Sequence, residues 1–425
     1  MLGVSKKDLT ICGYQTIMKK VISQYLRQYF ILFAICLVWL TSCNQTNIRN
    51  TNYNYTAPKL LSDSIEIDHI SKANIDSNKI IELTKLILKD SFPNIHSLLI
   101  AKDNKLVYEN YFSGKDESWG WSLGYAKHDT NVLHDIRSIS KSVVAACIDL
   151  AIQQQKIKNI NDPIFNYLSD YTQYKTPQNE KITIRDLLTM SSGIKWEENS
   201  IPHGTSANNE TQMEKSRNPI DYVLSQPMDT WPGKVWNYNS GGVQVLAEII
   251  RSASGLTIDN FADSFLFKPL GIKNYKWIRM QSDFSSFLEH YFRKKNKSKF
   301  PAAASGLRLT SRDLLKFGLL YLNNGKWNNK QILSENWVTE TLKTQILQDN
   351  NSSTNGYSYL FWTQTSRINN NQFDLIIARG NGGQRIFINK KLNLIVVITA
   401  GNYNKKGIVN DGQSAMDKFI LPALR

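Results

Sequence analysis

An α/β domain with a helical insertion is the fold the sequence predicts, on three observations. Alternating, β-rich runs occur at His96–Phe112 and again at Asp374–Thr399, near the two ends of a 425-residue chain. Between them, from about residue 155 to 300, apolar residues recur mostly at helical spacing, separated by long polar loops. Strands at both ends with helices between them fit one sheet assembled from the chain ends, with a mostly helical domain inserted. The cleft between the two parts is the expected place for an active site.

Residues 1–43 read as a targeting segment. Lys19, Lys20 and Arg27 form a positive region, and Tyr29 to Leu40 is an apolar stretch of signal-peptide length, short for a membrane span. It ends in Leu40-Thr41-Ser42-Cys43, which resembles the bacterial lipobox, whose cysteine is lipidated and becomes the mature N-terminus. Met18-Lys19-Lys20 is a typical start, so Met1 and Met18 are both open as the first residue. The alternative is an uncleaved anchor. Either way the bulk of the chain is exported and held at a membrane, on the periplasmic face or the cell surface. Residues 44–74 are rich in Asn, Thr and Ser and read as a flexible tether, leaving 75–425 as the folded domain.

Within that domain a helix is predicted over Ser77–Lys89. His96–Lys102 and Lys105–Phe112 flank Asp103-Asn104, a hairpin signal. Gly124 to Asp135 is loop-like. Val143–Ile152 is apolar enough for a buried helix, and Asn161-Asp162-Pro163 closes that region. Thr183-Ile184-Arg185-Asp186 has capping-box character and opens a short helix that stops at Ser191-Ser192-Gly193. Helices follow at Val243–Ala253, Ile258–Leu266 and, capped by Thr310, through Tyr321. Strands return at Asp374–Ala378, Gln384–Asn389 and Leu394–Thr399, and a last helix runs from Gln413 to Leu424.

Composition removes several function classes. No period repeats, which excludes a solenoid. The net charge of +15 is spread along the chain. Its densest run, Arg293 to Lys299, is a solvated loop or a contact for anionic lipid. Aromatics do not interleave with bases, so no nucleic-acid groove is expected. Neither C-x-x-C nor H-E-x-x-H occurs, and the six histidines form no ligand pattern. His128 and His134 fall close enough before residue 138 to line a pocket, yet neither makes a metal site. No metal or organic cofactor is expected.

Three stretches carry chemistry. In Arg137-Ser138-Ile139-Ser140-Lys141-Ser142, Ser138 sits at the start of the buried helix and Lys141 lies one turn on, on the same face. A serine beside a lysine whose pKa is lowered by burial becomes a nucleophile; the bland alternative is a helix-capping serine. Ser192-Gly193-Ile194-Lys195 has the same spacing but falls in a turn. In Trp231 to Gly242, Tyr238 to Gly242 form a glycine-bearing loop before a long apolar helix. A tyrosine there serves as a base if positive neighbours lower its pKa, or is a packing residue. In Arg379-Gly380-Asn381-Gly382-Gly383-Gln384, glycines between apolar strands mark a tight turn or the close approach of a ligand.

Together the three stretches resemble the serine β-lactamase and penicillin-binding-protein superfamily, over about residues 75–425. The likeness is greatest to its class C-type branch of esterases, peptidases and aminohexanoate-dimer hydrolases. The motifs are S-x-x-K at 138–141, Y-x-S at 238–240 and Gly-Asn-Gly-Gly-Gln at 380–384 in place of K-T-G. Asp186 to Gly193, Pro232-Gly233 and Ala303 to Thr310 agree as well. The resemblance implies a β-lactamase-like fold, with an antiparallel sheet flanked by helices. It implies Ser138 as the acylated nucleophile and Lys141 as the group that takes or steers its proton. Tyr238 becomes the partner base and acid, Ser240 a proton-relay residue, and the backbone at Gly382, Gly383 and Gln384 part of an oxyanion strand with the Ser138 amide. Asn381-Gly382-Gly383 lacks the lysine that β-lactamases present to a substrate carboxylate; Arg379 and Arg385 are the nearby cations.

The implied activity is an exported serine hydrolase acting on a small ester, amide or short peptide. The rivals are a peptidoglycan D-Ala peptidase or weak β-lactamase of the same fold, and a catalytically silent binding or sensor lipoprotein. Trp119, Trp121, Trp231 and Trp236 are candidate pocket walls or core residues.

Overall fold

The computed structural model describes residues 52–280, 300–349, 355–368 and 371–425. The targeting segment with Cys43, residues 44–51 and the basic run 293–299 lie outside the described residues. Among the described residues no helix is long and apolar enough to cross a membrane.

The two chain ends build one sheet. Its strands are β1 (Glu66–Ile67), β2 (Ile95–Lys102), β3 (Lys105–Tyr111), β4 (Ile346–Leu347), β5 (Asn355–Tyr357), β6 (Trp362–Ile368), β7 (Asn371–Gly380), β8 (Gln384–Asn389) and β9 (Leu394–Ala400), in spatial order β1-β3-β2-β9-β8-β7-β6-β5-β4. The β9–β2 pairing joins the ends in antiparallel register, with Val397 opposite Leu99. Every neighbour pair is antiparallel except β1–β3, which is parallel. Strand β6, with the polar sequence Trp362-Thr363-Gln364-Thr365-Ser366-Arg367-Ile368, went unread in the sequence because its apolar alternation is weak.

The sheet is buried on both faces. One face packs against α1 (Ser77–Leu88) and the C-terminal helical segment, through Ile80, Leu83, Phe387, Val396 and Met416. The other packs directly against α4 (Ser311–Leu322), whose Gly318 lies on Ile386 and Ile395, and against α2 (Ile139–Gln153), with α3 (Ser240–Ser254) packed on α2. Helix α2 is buried from Ile139 to Ala151 without a polar face, which is the signature of a helix central to a domain. Lys141 lies within that helix, 1% exposed. A lone cation there is costly unless it has partners or has shed its proton.

Three expectations change. The segment read as a tether is part of the domain from Asn52 onward. The Tyr55 hydroxyl donates to the Val107 carbonyl at 2.9 Å, Ile65 and Ile70 are buried, and β1 adds to the sheet edge. The Arg312 guanidinium holds Asp63, Glu109 and the Lys59 carbonyl. Apolar residues spaced among the Asn and Ser of this arm are enough to dock it. Second, Gly124 does not open a loop. It lies in a hairpin, Gly114–Ser118 paired with Trp121–Ala126, whose second strand alternates Trp121, Leu123 and Tyr125 although it is largely exposed. Third, the histidines do not scatter: His96, His128 and His134 converge with Asp116 in a buried group. No spacing motif announces it, because the four residues come from separate segments.

Candidate active site

Ser138 begins α2 in helical conformation (φ −65°, ψ −4°), and its side chain makes no capping hydrogen bond. The hydroxyl is engaged elsewhere: the Lys141 ammonium nitrogen lies 2.9 Å from Ser138 Oγ. The same nitrogen reaches the Ala304 carbonyl at 3.1 Å and stands 4.9 Å from the Tyr238 ring centroid. The Tyr238 phenol is near enough to the Ser138 side chain to be influenced by it. The helical spacing of Ser138 and Lys141 and the Y-x-S loop thus meet at Ser138.

The residue before the nucleophile is held in an uncommon conformation. Arg137 has φ +49°, in the left-handed region that non-glycine residues avoid at a cost of about 1–2 kcal/mol. Its guanidinium is fixed by Glu117 and lies 4.7 Å from the Tyr403 ring centroid. The turn Asn381-Gly382-Gly383 closes over this segment. Gly382 and Gly383 have φ +92° and +101°, and a Cβ on Gly380 would fall 2.2 Å from the Ile136 carbonyl oxygen. Glycine is required there for close approach. The Gln384 side chain points into the sheet, where its amide bonds both the N–H and the carbonyl of Ala400.

Arg379 and Arg385 do not stand in for the missing lysine. They are cross-strand partners on the sheet face shared with Ile377 and Phe387, the side away from α2. Arg385 contacts Asp411, and Arg379 lies over Trp362, 5.1 Å from the ring centroid. Among the candidate tryptophans, Trp236 packs beside Tyr238, at 6.3 Å between centroids, together with Tyr357 and Trp362. Trp231 is 58% exposed, and Trp119 and Trp121 belong to the hairpin. The buried Trp236 indole N–H has no partner among the described residues.

A cluster of carboxylates borders the site, and nothing in the sequence spacing marked it. Glu198 accepts the Ser240 N–H and hydroxyl, each at 2.8 Å, and the Trp196 indole N–H at 2.6 Å. Ser240 therefore answers to Glu198. His203 lies 3.6 Å from Glu210 and 3.4 Å from Glu214. Burial pushes the Glu198 carboxyl up to about 7, with Glu210 adding repulsion. Burial likewise raises Glu214, to about 8, again with Glu210 as a neighbour. Glu210 keeps its charge: burial opposes it, but His203 and Lys141 hold it at about 2. Burial lowers the Lys141 pKa, while Glu198, Glu210 and Glu214 pull it back up.

These neighbours reverse one sequence expectation. Burial first and the Glu198 carboxylate next push the Tyr238 phenol well above the ordinary value, despite Lys141 beside its ring. It is a neutral hydroxyl at physiological pH.

The β-lactamase family model matches residues 96–412. The chain belongs to the β-lactamase family. This family of serine hydrolases acts on small esters, amides or peptides. An uncharacterized protein of Alkalihalophilus pseudofirmus is 26% identical over 247 residues, 56% of this chain and 61% of the relative. A Salmonella agona protein provisionally named a D-alanyl-D-alanine carboxypeptidase is 24% identical over 219 residues, 48% of each chain. The chain thus matches about half to three-fifths of these curated relatives' length. A structure from Bacillus anthracis, provisionally named a 6-aminohexanoate-dimer hydrolase, superimposes with a TM-score of 0.61 at 19% identity, covering 87% of both chains.

The carboxylate cluster gives this β-lactamase-family protein a pH signature in stability. Glu214 is raised in the folded state, so the fold binds a proton that the unfolded chain releases above its ordinary carboxylate range. Stability therefore declines as pH climbs from about 4.5 towards 8, and Glu214→Gln removes the Glu214 share of that decline, leaving that of Glu198. Thermal melts of the variant are expected to exceed wild type at pH 9 and to show no gain at pH 5.

Proposed function

We propose that the protein is an exported serine hydrolase that cleaves a small ester or amide through an acyl-enzyme on Ser138. The observation that carries this reading is the 2.9 Å contact from Lys141 to Ser138 Oγ inside a helix buried on all sides. Neutral Lys141 takes the hydroxyl proton as Oγ bonds the substrate carbonyl carbon. The backbone amides of Ser138 and Gln384 receive the developing oxyanion. As the bond to the leaving group breaks, the Tyr238 hydroxyl passes a proton to it and is reprotonated from Lys141. Water then attacks the ester, gives its proton back through the same pair and frees Ser138. No step calls for a metal or organic cofactor.

The carboxylates favour a neutral or cationic substrate. Glu210 keeps its charge and acts on Lys141, and a substrate carboxylate brought beside that group meets its repulsion. Penicillins and D-Ala-D-Ala stems both carry such a carboxylate, and no lysine stands at Asn381 to offset it. This weighs against the peptidoglycan and β-lactam readings.

Mass spectrometry with peptide mapping, after exposure to a fluorophosphonate and separately to a penicillin, tests the proposal. A fluorophosphonate adduct on Ser138 without a penicillin adduct is expected. Adducts from both would return the cell-wall reading, and a folded protein that takes neither label would be a silent binding protein.

Export and anchoring are part of the same proposal, supported by the basic and apolar run that ends at Cys43. Cys43→Ser is expected to move the protein out of the membrane fraction or to leave it unprocessed. A membrane fraction unaltered by the substitution would mean an uncleaved anchor.

A further inference from the structure

Beside the serine centre, but outside it, lies the buried group of three histidines and one aspartate. His96 comes from β2, Asp116 from the first strand of the hairpin, His128 from the loop after it, and His134 from the short segment that leads to Ser138. Their inward atoms all lie within 4.8 Å of one another. His96 Nδ1 is 2.8 Å from His134 Nε2, and His128 Nε2 is 3.3 Å from Asp116 Oδ2. Asp116 Oδ1 is 3.7 Å from His134 Nε2 and 4.0 Å from His96 Nδ1.

The neighbours of the outward nitrogens favour one assignment of the ring protons. His128 Nδ1 faces the Phe112 carbonyl at 2.9 Å and His134 Nδ1 faces the Asp135 carbonyl at 3.1 Å. His96 Nε2 faces Asn94 Oδ1 at 3.4 Å, and that oxygen is identified as such because it also accepts the Lys115 N–H while Asn94 Nδ2 donates to the Lys115 carbonyl. Carbonyl oxygens accept and cannot donate. A ring that gives its outer proton to such a carbonyl turns a lone pair inward; at His134 the Tyr403 hydroxyl, 3.2 Å from Nδ1, is the second neighbour of the outer nitrogen. Three lone pairs and a carboxylate then share one dry pocket, with the Tyr403 hydroxyl, 3.3 Å from Asp116 Oδ1, as the nearby donor. Four converging acceptors repel one another unless a cation lies between them.

We propose that His96, Asp116, His128 and His134 form a structural site for one zinc ion. Zinc bonds histidine nitrogen and carboxylate oxygen at about 2.0–2.2 Å, which sets tetrahedral ligand atoms about 3.3 Å apart. The contacts of 2.8 to 4.0 Å bracket that spacing. Imidazole-rich ligation suits zinc over calcium or magnesium, which take oxygen ligands. Outer ring nitrogens directed at carbonyls are the usual support of ligating histidines. Four protein ligands leave no open position, so the ion holds structure and takes no part in the chemistry. It staples β2, the hairpin and the segment 134–138 to one point. Tyr403 links that point to the glycine turn, since a Cβ on Gly382 would fall 2.5 Å from its ring.

The test uses the full chain, purified in detergent without chelators or immobilised-metal resin. Elemental analysis after dialysis is expected to find about one zinc per chain, and removal by dipicolinate should lower the melting temperature by about 5 °C or more, restored by one equivalent of zinc. X-ray absorption at the zinc edge should report nitrogen and oxygen ligands with imidazole scattering. Asp116→Asn and His128→Ala should abolish retention, whereas His203→Ala, in the carboxylate cluster, should keep it. Folded protein that holds no metal and whose melting is indifferent to added zinc would overturn the proposal, with protons filling the pocket instead. Zinc lost in His203→Ala but kept in Asp116→Asn would overturn it equally. Should the cluster variants fail to fold, chelation and return of zinc on the unaltered chain decides alone.

Discussion

Ser138→Ala is expected to lower ester hydrolysis by about 10⁶-fold, the scale seen when a nucleophile that works as part of a coupled set is removed. The fold should survive. Ser138 makes no capping bond to α2, so the helix loses no start signal, and alanine is a good helix former. Activity measured with a chromogenic ester, beside a thermal melt of the same sample, separates the two effects. Retained turnover in the variant would move the nucleophile elsewhere and with it the whole reading of the cleft.

Lys141→Met should be nearly as damaging to turnover, by about 10²–10⁴-fold, the usual scale for a general base. Its effect on stability should run the other way. Methionine fills a similar volume in a helix that is buried on every side, and it removes a cation from a dry site. The melting temperature at pH 6 is therefore expected not to fall. Wild-type kcat/KM should rise with pH to a plateau, because only neutral Lys141 accepts the Ser138 proton. The limb should sit below the ordinary lysine range, since burial lowers this amine. Glu198→Gln should shift the limb to lower pH, because a negative neighbour that holds the proton on Lys141 is gone. A limb unmoved by that substitution would mean that another group gates the reaction.

Much of this site was legible in the residues alone, and the reason is geometric. Ser138 and Lys141 are three apart on one helix, so their contact needs no knowledge of the fold. Tyr238 was legible by its order in the chain and its glycine-bearing loop. The hairpin at β2–β3 and the capping box at Thr183 were legible because their signals are local. What escaped was decided by tertiary convergence. Glu198, Glu210 and Glu214 lie on a loop and a short helix that read as polar and solvated; only the packed structure turns them towards Lys141. That convergence also inverts the environment of Tyr238, whose phenol rises where a cationic surround was the condition for a base. The arm at 52–74 escaped for the opposite reason: its composition is polar, and a few buried side chains outweigh it.

The docked arm limits how far the domain travels. Arg312 and β1 hold the chain to the sheet edge by residue 66, and Tyr55 fixes it earlier still. Eight residues lie between Cys43 and Asn52, and at about 3.3–3.6 Å per residue the nine steps reach no more than about 32 Å. Under the proposed lipidation of Cys43, the domain would be moored on a short leash, about one domain diameter from the bilayer. Its substrates would then be those that pass through that shallow layer, and lengthening the leash by inserted residues would widen its catchment without touching its chemistry.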